Sequence, residues 1–248
     1  MRKIKEIFNK FRNGVLDMLY PKHIKCIFCS EELAELNLYD SCEKCLSTLP
    51  RINKDYCIHC GMSRSEGAVG SCIFCKRENP SFTLARAVLK YEGTTAIVIQ
   101  NLKYNHAKYL AEPLAYFLFE KLKNLNWEID LISFVPIHAK KLKQRGYNQA
   151  ELLAKELSKL TNIECKNLFE KIKETPTQTK LTRQQRKKNI ENSFKLTNKD
   201  VADKNILIVD DVFTTGATAN ELAKLLKNAK AKYVYILTLA HSVLKENI

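Results

Sequence analysis

Ile206-Leu-Ile-Val-Asp210-Asp211-Val-Phe-Thr214-Thr215-Gly216-Ala-Thr218 is the stretch that decides the fold of this 248-residue chain. Its four leading apolar residues form a continuous run, which is typical of a strand that is covered on both faces. Two carboxylates follow where this strand is expected to end, then a hydroxyl-rich turn, and then an amphipathic helix from about residue 217. In open α/β sheets, ligands bind beyond the carboxyl ends of the strands. The segment therefore predicts a ligand site at the edge of a parallel sheet.

The turn after the acidic pair has the composition of a phosphate-binding loop. Thr214, Thr215 and Thr218 supply hydroxyl donors, and Gly216 allows backbone amides to approach an anion closely. The helix behind adds the unsatisfied N–H groups and the positive dipole end of its first turn. The two preceding carboxylates would repel a phosphate unless they face sugar hydroxyls or a metal ion. A sugar phosphate that also carries a magnesium-bound pyrophosphate meets both demands; the alternative is that the acids only cap a strand–helix turn.

This segment resembles the phosphoribosyl pyrophosphate (PRPP) motif of type I phosphoribosyltransferases, which has four apolar residues, two acids, two further residues and Thr-Thr-Gly-x-Thr. The resemblance implies that Asp210 and Asp211 hold the ribose hydroxyls, with magnesium accompanying PRPP. It further implies a 5-phosphate loop that consists of Thr214, Thr215, Gly216, Ala217 and Thr218.

Composition and charge narrow the class of protein. No apolar run approaches the ~20 residues that span a bilayer, and the N-terminus lacks the apolar core of a secretion signal. We therefore expect a cytoplasmic protein without a transmembrane segment. The formal charge is +14, and residues 101–200 contribute +9 of it, with 20 Lys and Arg against 11 Asp and Glu. A basic surface favours a nucleic-acid partner, although a solvated lysine-rich surface that binds nothing is the alternative.

Eight of the nine cysteines fall in four Cys-x-x-Cys pairs, which are Cys26/Cys29, Cys42/Cys45, Cys57/Cys60 and Cys72/Cys75. Two thiolates at this spacing reach one tetrahedral ion, and two pairs complete a closed structural zinc site. Disulfides are the alternative, but they fit poorly with a cytoplasmic protein. Few apolar residues separate the pairs, so we expect the metal to supply folding energy. The spacing leaves open whether one or two zinc ions bind and which pairs combine.

After Phe82 the pattern changes to alternating strands and helices. Strands are expected at residues 85–91, 129–135, 206–209 and 233–239, and helices at 94–103, 110–125, 149–160 and 217–227. This alternation indicates a parallel sheet with right-handed crossovers. We predict an α/β fold, a type I phosphoribosyltransferase-like parallel sheet flanked by helices, over residues 79–248. Residues 1–78 would form a basic N-terminal helix followed by a small Cys-rich zinc-binding module.

Two further segments extend the resemblance. Residues 135–150 follow the second predicted strand, where a phosphoribosyltransferase has its pyrophosphate-binding loop. The side chains implied to bind pyrophosphate are Lys140, Lys141 and Arg145, together with Lys103 of a Leu-Lys-Tyr segment. Residues 175–194 look like the flexible hood loop that closes over PRPP. The hood residues singled out are Gln178, Thr179, Arg186 and Asn189.

The Cys pairs, Leu-Lys-Tyr, Arg-Gly-Tyr-Asn-Gln-Ala, Thr-Gln-Thr-x-Leu and the acidic pair occur in the order found in the ComF (ComFC-like) family. The chain resembles that family from about residue 19 to residue 239. The family implies a cytoplasmic bacterial protein that natural transformation requires and that handles incoming single-stranded DNA. It also implies PRPP as ligand and a DNA-translocating helicase of the uptake machinery as partner.

A PRPP site does not establish catalysis, and no segment identifies an acceptor. Three functions therefore stay open: a DNA-uptake factor with a PRPP site that retains transferase activity or lacks it, a phosphoribosyltransferase of nucleotide salvage or biosynthesis without a DNA role, and an adaptor whose knuckles and basic loops bind DNA. Tyr104, Tyr147 and Phe74 are candidates for stacking on bases in the last case, with ordinary packing as the alternative.

Overall fold

The computed structural model describes residues 24–174, 189–198 and 200–242. By its contacts the chain divides into two compact units, which separate between Thr48 and Leu49. The second Cys quartet therefore belongs to the larger unit. The module division between residues 78 and 79 stays a prediction.

The larger unit is built on a four-stranded parallel sheet. The strands, in chain order, are β1 (Leu84–Lys90), β2 (Leu131–Phe134), β3 (Phe169–Lys171), β4 (Phe194–Leu196), β5 (Asn205–Phe213) and β6 (Tyr233–His241). The sheet order is β1-β6-β5-β2, while β3 and β4 form a separate antiparallel pair. Residues 206–209 of β5 are fully buried, as the continuous apolar run predicts.

Helices connect the strands and cover the sheet. In chain order they are α1 (Glu43–Thr48), α2 (Ile73–Glu78), α3 (Gly93–Tyr104), α4 (Ala111–Lys123), α5 (Ala139–Arg145), α6 (Gln149–Thr161) and α7 (Ala217–Asn228). A 3₁₀ turn at Lys108–Leu110 precedes α4. Helices α4 and α6 pack on each other, and α6 also packs on β5 and β2. The predicted fold class is confirmed. None of the helices in the described ranges combines the length and hydropathy needed to cross a bilayer.

Three details differ from the sequence-based expectation. The acidic pair does not follow the strand but lies within it, because β5 continues to pair with β6 through Phe213 and His241. The segment expected to be a pyrophosphate-binding loop contains helix α5, which ends at Arg145 and is capped by Gly146. The β3–β4 pair was not predicted. Its two strands are three residues long, and a long segment separates them in sequence.

The smaller unit is described from residue 24 to residue 48 and contains the first Cys quartet. A tight knuckle forms where the Cys26 amide donates to Glu31 O and the Ser30 amide donates to Cys26 O, both at 2.8 Å. The larger unit repeats this pattern, with Cys57 N donating to Met62 O and Gly61 N to Cys57 O. The two quartets are therefore built on the same local backbone.

Candidate functional site

The acidic pair lies in the C-terminal part of β5, the second strand from the edge formed by β2. The Lys103 ammonium at the end of α3 lies 2.8 Å from Asp211 Oδ2, and the Asp211 carboxylate is only 5% exposed. Asp210 Oδ1 accepts a hydrogen bond from the Asp211 amide at 2.9 Å. Two adjacent carboxylates thus share one nearby lysine.

The charges of this group are strongly perturbed. Burial raises the pKa of Asp210 well above its usual value, and the neighbouring Asp211 carboxylate raises it further. For Lys103, burial disfavours the charged form, but the carboxylates of Asp211 and Asp210 outweigh it and raise the pKa above its usual value. A site of this kind gains stability from a cation or from hydroxyl donors that face the acids.

The turn after β5 leads directly into helix α7 and contains the residues predicted to surround the 5-phosphate. Gly216 has φ +76°, and a Cβ there would lie 2.8 Å from Phe213 Cζ, so any other residue would strain the backbone and displace the Phe213 ring. Thr215 Oγ1 accepts from the Ala217 amide at 3.4 Å at the start of α7. Thr214, Ala217 and Thr218 are half-buried and complete the turn at the N-terminus of this helix. This turn therefore places three threonines beside the N-terminus of a helix, where backbone amides and the helix dipole favour an anion.

The Leu-Lys-Tyr segment at the end of α3 makes three contacts with other parts of the site. The Leu102 carbonyl accepts from the Tyr147 hydroxyl at 2.6 Å. Lys103 pairs with Asp211, and the exposed Tyr104 ring lies 4.9 Å from the Arg145 guanidinium carbon. Three consecutive residues thereby tie the end of α3 to the acidic pair and to the Arg-Gly-Tyr-Asn-Gln segment. Tyr147 is buried, which favours packing over base stacking for this residue.

The Arg-Gly-Tyr-Asn-Gln segment fixes the backbone between β2 and α6. Asn148 caps α6 by accepting from the Ala150 amide at 3.1 Å, and its Nδ2 donates to the Val135 carbonyl at 2.9 Å. Arg145 donates to the Gln149 side chain, which is buried. In this structure the Arg145 guanidinium is therefore held by Gln149 and by the ring of Tyr104.

A basic side of the site is formed by α5 and β3. Lys140 pairs with Glu174 at 3.2 Å, which brings α5 to the end of the β3 segment. Lys171 on β3 is partly buried, and burial, reinforced by the nearby Lys141 ammonium, lowers its pKa to about 8 although Asp210 opposes this. Lys171 could not be predicted from the sequence, because no motif surrounds it and the strand that carries it is only three residues long.

Only one of the four residues predicted for the hood loop lies in the part of the chain that the structure describes. Gln178, Thr179 and Arg186 lie outside the described residues. Asn189 is described, and its carbonyl accepts from the Ser193 hydroxyl at 2.9 Å. The predicted roles of these four residues stay predictions.

Each successive pair of Cys-x-x-Cys motifs forms one cluster. Cys26, Cys29, Cys42 and Cys45 form the first and Cys57, Cys60, Cys72 and Cys75 the second, with all sulfurs of a cluster within 4.8 Å of one another. Zinc–sulfur bonds of about 2.3 Å in a tetrahedron place two sulfurs about 3.8 Å apart. Cys29 and Cys42 show this 3.8 Å separation, and so do Cys60 and Cys72. The thiols fit two zinc ions, and all eight cysteines are free thiols in this structure.

The backbone of the second cluster favours the thiolate that zinc needs. The Cys72 amide donates to Cys57 Sγ at 3.1 Å. Hydrogen bonds from the thiols of Cys60 and Cys75 lower the pKa of Cys57, and backbone amides assist although burial opposes them. A bound cation would be stabilised by the same arrangement.

A cavity of about 300 Å³ adjoins the turn that follows β5. One wall is the second cluster with Phe74 and Met62, and another is the turn Thr214–Ala217 with the first turns of α7. Ile190 and Glu191 contribute a third side. No sequence signal pointed to this cavity, because its walls come from three distant segments.

Comparison with known proteins agrees with these two parts of the chain. Residues 141–246 match the family model "Phosphoribosyl transferase domain", and residues 15–77 match "Double zinc ribbon domain". Competence protein F of Haemophilus influenzae is 30% identical over 230 residues, which cover 89% of this chain and 98% of that protein. DNA utilization protein YhgH of Escherichia coli strain K12 is 28% identical over 224 residues, 88% of this chain and 97% of that protein.

A third relative is Competence protein ComFC of Streptococcus pneumoniae. It is 27% identical over 222 residues, which cover 85% of this chain and 97% of that protein. With two four-cysteine clusters, a phosphoribosyltransferase-type sheet and relatives matched along nearly their whole length, the chain belongs to the ComF (ComFC-like) family of competence proteins.

Proposed function

We propose that this protein binds PRPP together with Mg²⁺ and acts in natural transformation on or near incoming single-stranded DNA in the cytoplasm. The observation that carries the proposal is the Asp210–Asp211 pair directly ahead of the Gly216 turn and the N-terminus of α7. A sugar phosphate needs hydroxyl acceptors and a phosphate cradle side by side, and this arrangement supplies both.

Each part of PRPP has a chemical counterpart at the site. Asp210 and Asp211 would accept hydrogen bonds from the ribose hydroxyls, and the turn 214–218 would surround the 5-phosphate. Lys141 and Lys171 would face the pyrophosphate, with Lys103, Lys140 and Arg145 available when their present partners are exchanged. Mg²⁺ would neutralise part of the pyrophosphate charge.

The role in transformation rests on the relatives and on charge. Proteins named for competence or DNA utilization align with this chain over nearly their whole length. The excess of basic residues in residues 101–200 supports contact with a polyanion. A DNA-translocating helicase would be the partner that delivers the strand. Whether PRPP is turned over is a separate question, because no acceptor has been identified.

Calorimetry of PRPP binding in the presence of Mg²⁺ tests the site. The double change Asp210→Asn/Asp211→Asn should weaken binding by roughly 100-fold, since two charge-assisted contacts are lost. Asp200→Asn/Asp203→Asn removes the same charge at exposed positions and should bind like the natural chain. Because Asp211 also neutralises Lys103, the single change Asp210→Asn separates loss of ligand binding from loss of folding.

If Asp210→Asn and the double variant both bind PRPP with unaltered affinity, the proposed site is wrong.

The DNA role is tested by titrating single-stranded DNA at several salt concentrations. The slope of affinity against salt reports how many phosphates are neutralised, and a flat slope would remove nucleic acid as a partner. Deletion of the gene should abolish transformation. If the natural gene restores it and the Asp210→Asn variant does not, the role in transformation depends on the PRPP site.

A further inference from the structure

We propose that a second cavity of the larger unit, separate from the acidic pair, binds a phosphate group. This cavity has a volume of about 280 Å³ and lies between the chain just before the second quartet and the last turns of α4. We call it the β1 cavity, because Val88 of that edge strand lines it. None of the described residues assigned to the PRPP site lines it, so this inference does not depend on the proposed function.

The chain just before the second quartet is fixed against the sheet and forms one wall of the β1 cavity. Arg51 forms an isolated antiparallel bridge with Leu89, and the Ile52 amide donates to the Val88 carbonyl at 2.9 Å. The Arg51 guanidinium carbon lies 5.7 Å from the centre of the Phe117 ring on α4. The edge strand therefore holds the backbone that places the Arg51 side chain over α4.

Positive charge exceeds negative charge around the β1 cavity. Arg51 and Lys121 both line it, and Glu120 is the only acid among its described lining residues. Arg51 pairs with Glu120 at 3.1 Å. The guanidinium carbon of Arg86 lies 4.9 Å from the centre of the ring of Tyr56, which also lines the cavity. Three cations therefore share one carboxylate.

The Lys121 ammonium is the group that an anion would stabilise most. It is half-buried, and its Nζ donates to the Ile52 carbonyl at 2.8 Å, which is a neutral acceptor. Burial lowers the pKa of Lys121, and two guanidinium groups, those of Arg86 and Arg51, lower it further. The Glu120 carboxylate acts in the opposite direction, but the net shift is downward. An anion beside Lys121 would favour its charged form.

The chemistry of the lining suits a phosphate. A guanidinium binds phosphate through two parallel N–H groups, and an ammonium adds a point charge. The side-chain amide of Asn53 also lines the cavity and can donate a further hydrogen bond. Tyr56 and Phe117 add aromatic surface. The volume of about 280 Å³ is close to the lower end of the range for small-molecule sites, so a small organic group fits beside the phosphate.

Glu120 would compete with the ligand. In this structure its carboxylate holds the Arg51 guanidinium, which an entering phosphate would take over. Removing the charge of Glu120 should therefore strengthen binding, whereas removing the charge of Arg51 or Lys121 should weaken it. A purely structural clamp between α4 and the edge of the sheet would not produce these opposite signs, because each change would only destabilise the fold.

Calorimetry with phenyl phosphate on the full zinc-loaded chain tests the proposal. Lys121→Gln and Arg51→Gln should each weaken binding by roughly tenfold, because each removes a charged hydrogen-bond donor. Glu120→Gln should strengthen it by about two- to fivefold. Lys123→Gln, on the same helix but exposed and outside the lining, is the matched control and should bind like the natural chain. Binding of the probe at the turn 214–218 is common to all variants and cancels in the comparison.

Melting temperatures of the same proteins show which variants are folded. If the folded variants bind phenyl phosphate like the natural chain, or if the natural chain does not bind it, the inference is overturned. If both cation variants fail to fold, Glu120→Gln decides alone: tighter binding supports the inference, and unaltered or weaker binding overturns it.

Crystals grown with selenate locate the anion directly by anomalous scattering. A peak within hydrogen-bond distance of Arg51 and Lys121 is expected, and peaks at other places only would overturn the inference.

Two further probes identify the source of the phosphate. If phenyl phosphate binds more tightly than inorganic phosphate and the difference requires Lys121, the ligand is a small phosphorylated molecule. If an oligonucleotide with a 5′-hydroxyl group shows the Lys121-dependent binding instead, the cavity receives a backbone phosphate of a single strand.

Discussion

The two Cys quartets have nearly the same spacing and the same knuckle hydrogen bonds, but they differ in their surroundings. In the first, Cys29 is exposed and Cys42 and Cys45 are half-buried. In the second, three thiols are buried and belong to the core of the larger unit, where Phe82 and Ile236 also lie. The same motif therefore makes a separate small module in one place and part of a domain core in the other.

The residue after the second cysteine of each knuckle shows how the surroundings of the two quartets differ. Ser30 and Gly61 both follow the second cysteine of a pair, and both have left-handed backbone, with φ of 64° and 70°. Ser30 is exposed, whereas a Cβ on Gly61 would lie 2.6 Å from the Ala85 carbonyl oxygen on β1. The knuckle itself tolerates a side chain. Glycine is required only where the knuckle packs against the sheet.

The largest effect is expected from removing zinc ligands. Cys57→Ser/Cys60→Ser should unfold the larger unit or lower its melting temperature by more than about 15 °C. A structural zinc site contributes on the order of 10 kcal/mol, comparable to the whole stability of a domain. Cys26→Ser/Cys29→Ser should leave the melting of the larger unit nearly unchanged. Circular dichroism and metal content per chain measure both effects.

Each double variant should lose one of two zinc ions, and Cys165→Ser, outside both quartets, should lose none. Equal loss of melting temperature in the two double variants would show that the quartets are equivalent in energy despite their different burial.

A smaller effect is expected at Gly61. Gly61→Ala should lower the free energy of unfolding by about 2–4 kcal/mol, because backbone strain adds to a clash with the rigid strand β1. Gly67→Ala is the control, since Gly67 has a similar φ of +74° but open space around its Cα. It should lose only about 1 kcal/mol. Urea denaturation measures both, and equal losses would mean that the contact with Ala85 has no energetic weight.

Release of zinc to a chelator should separate the quartets by rate. The exposed first site should lose its ion about tenfold faster, because the second requires part of the core to open. A chromogenic chelator follows both phases. The fast phase should be absent from Cys26→Ser/Cys29→Ser. If it is absent from Cys57→Ser/Cys60→Ser instead, the second quartet is the one that releases its zinc quickly.

The parallel sheet and the order of the sequence motifs along it could be predicted from the sequence. Residues 206–209 form a continuous apolar run, and such a run has few structural alternatives when an acidic pair and a Thr-Gly turn follow. Strand ends were harder to predict. Asp210 lies within β5 only because β6 extends to His241 and pairs beside it, which is a property of the partner strand.

Features formed by distant segments could not be predicted. Strands β3 and β4 have three residues each and stabilise one another only when paired, so neither has a local signal. The ion pair between Lys103 and Asp211 joins residues more than a hundred positions apart. The burial that distinguishes the two quartets likewise depends on β1 and α7, not on the Cys-x-x-Cys spacing.

The smallest expected effect concerns the pH dependence of PRPP binding, which should depend on the larger unit and not on the first quartet. Burial and the nearby Lys141 lower the pKa of Lys171 to about 8. Lys171 is therefore charged below this pH and loses its charge as the pH rises through it, whereas a solvated lysine stays charged to above about 10. PRPP affinity should fall by a few-fold between about pH 7 and pH 9, as measured by calorimetry at each pH.

Lys171→Arg should flatten this fall, because a guanidinium stays charged across the whole range. Lys171→Met should bind more weakly at neutral pH and also be flat, while Lys173→Met, at an exposed neighbouring position, should keep the fall. Ionisation of Asp210, whose pKa is raised by burial, would also make the site more negative as the pH rises, and Lys171→Arg separates the two groups because it leaves Asp210 in place. The first-quartet variant Cys26→Ser/Cys29→Ser should reproduce the natural profile. If the affinity still falls with pH in Lys171→Arg, another group titrates and Lys171 takes no part in anion binding.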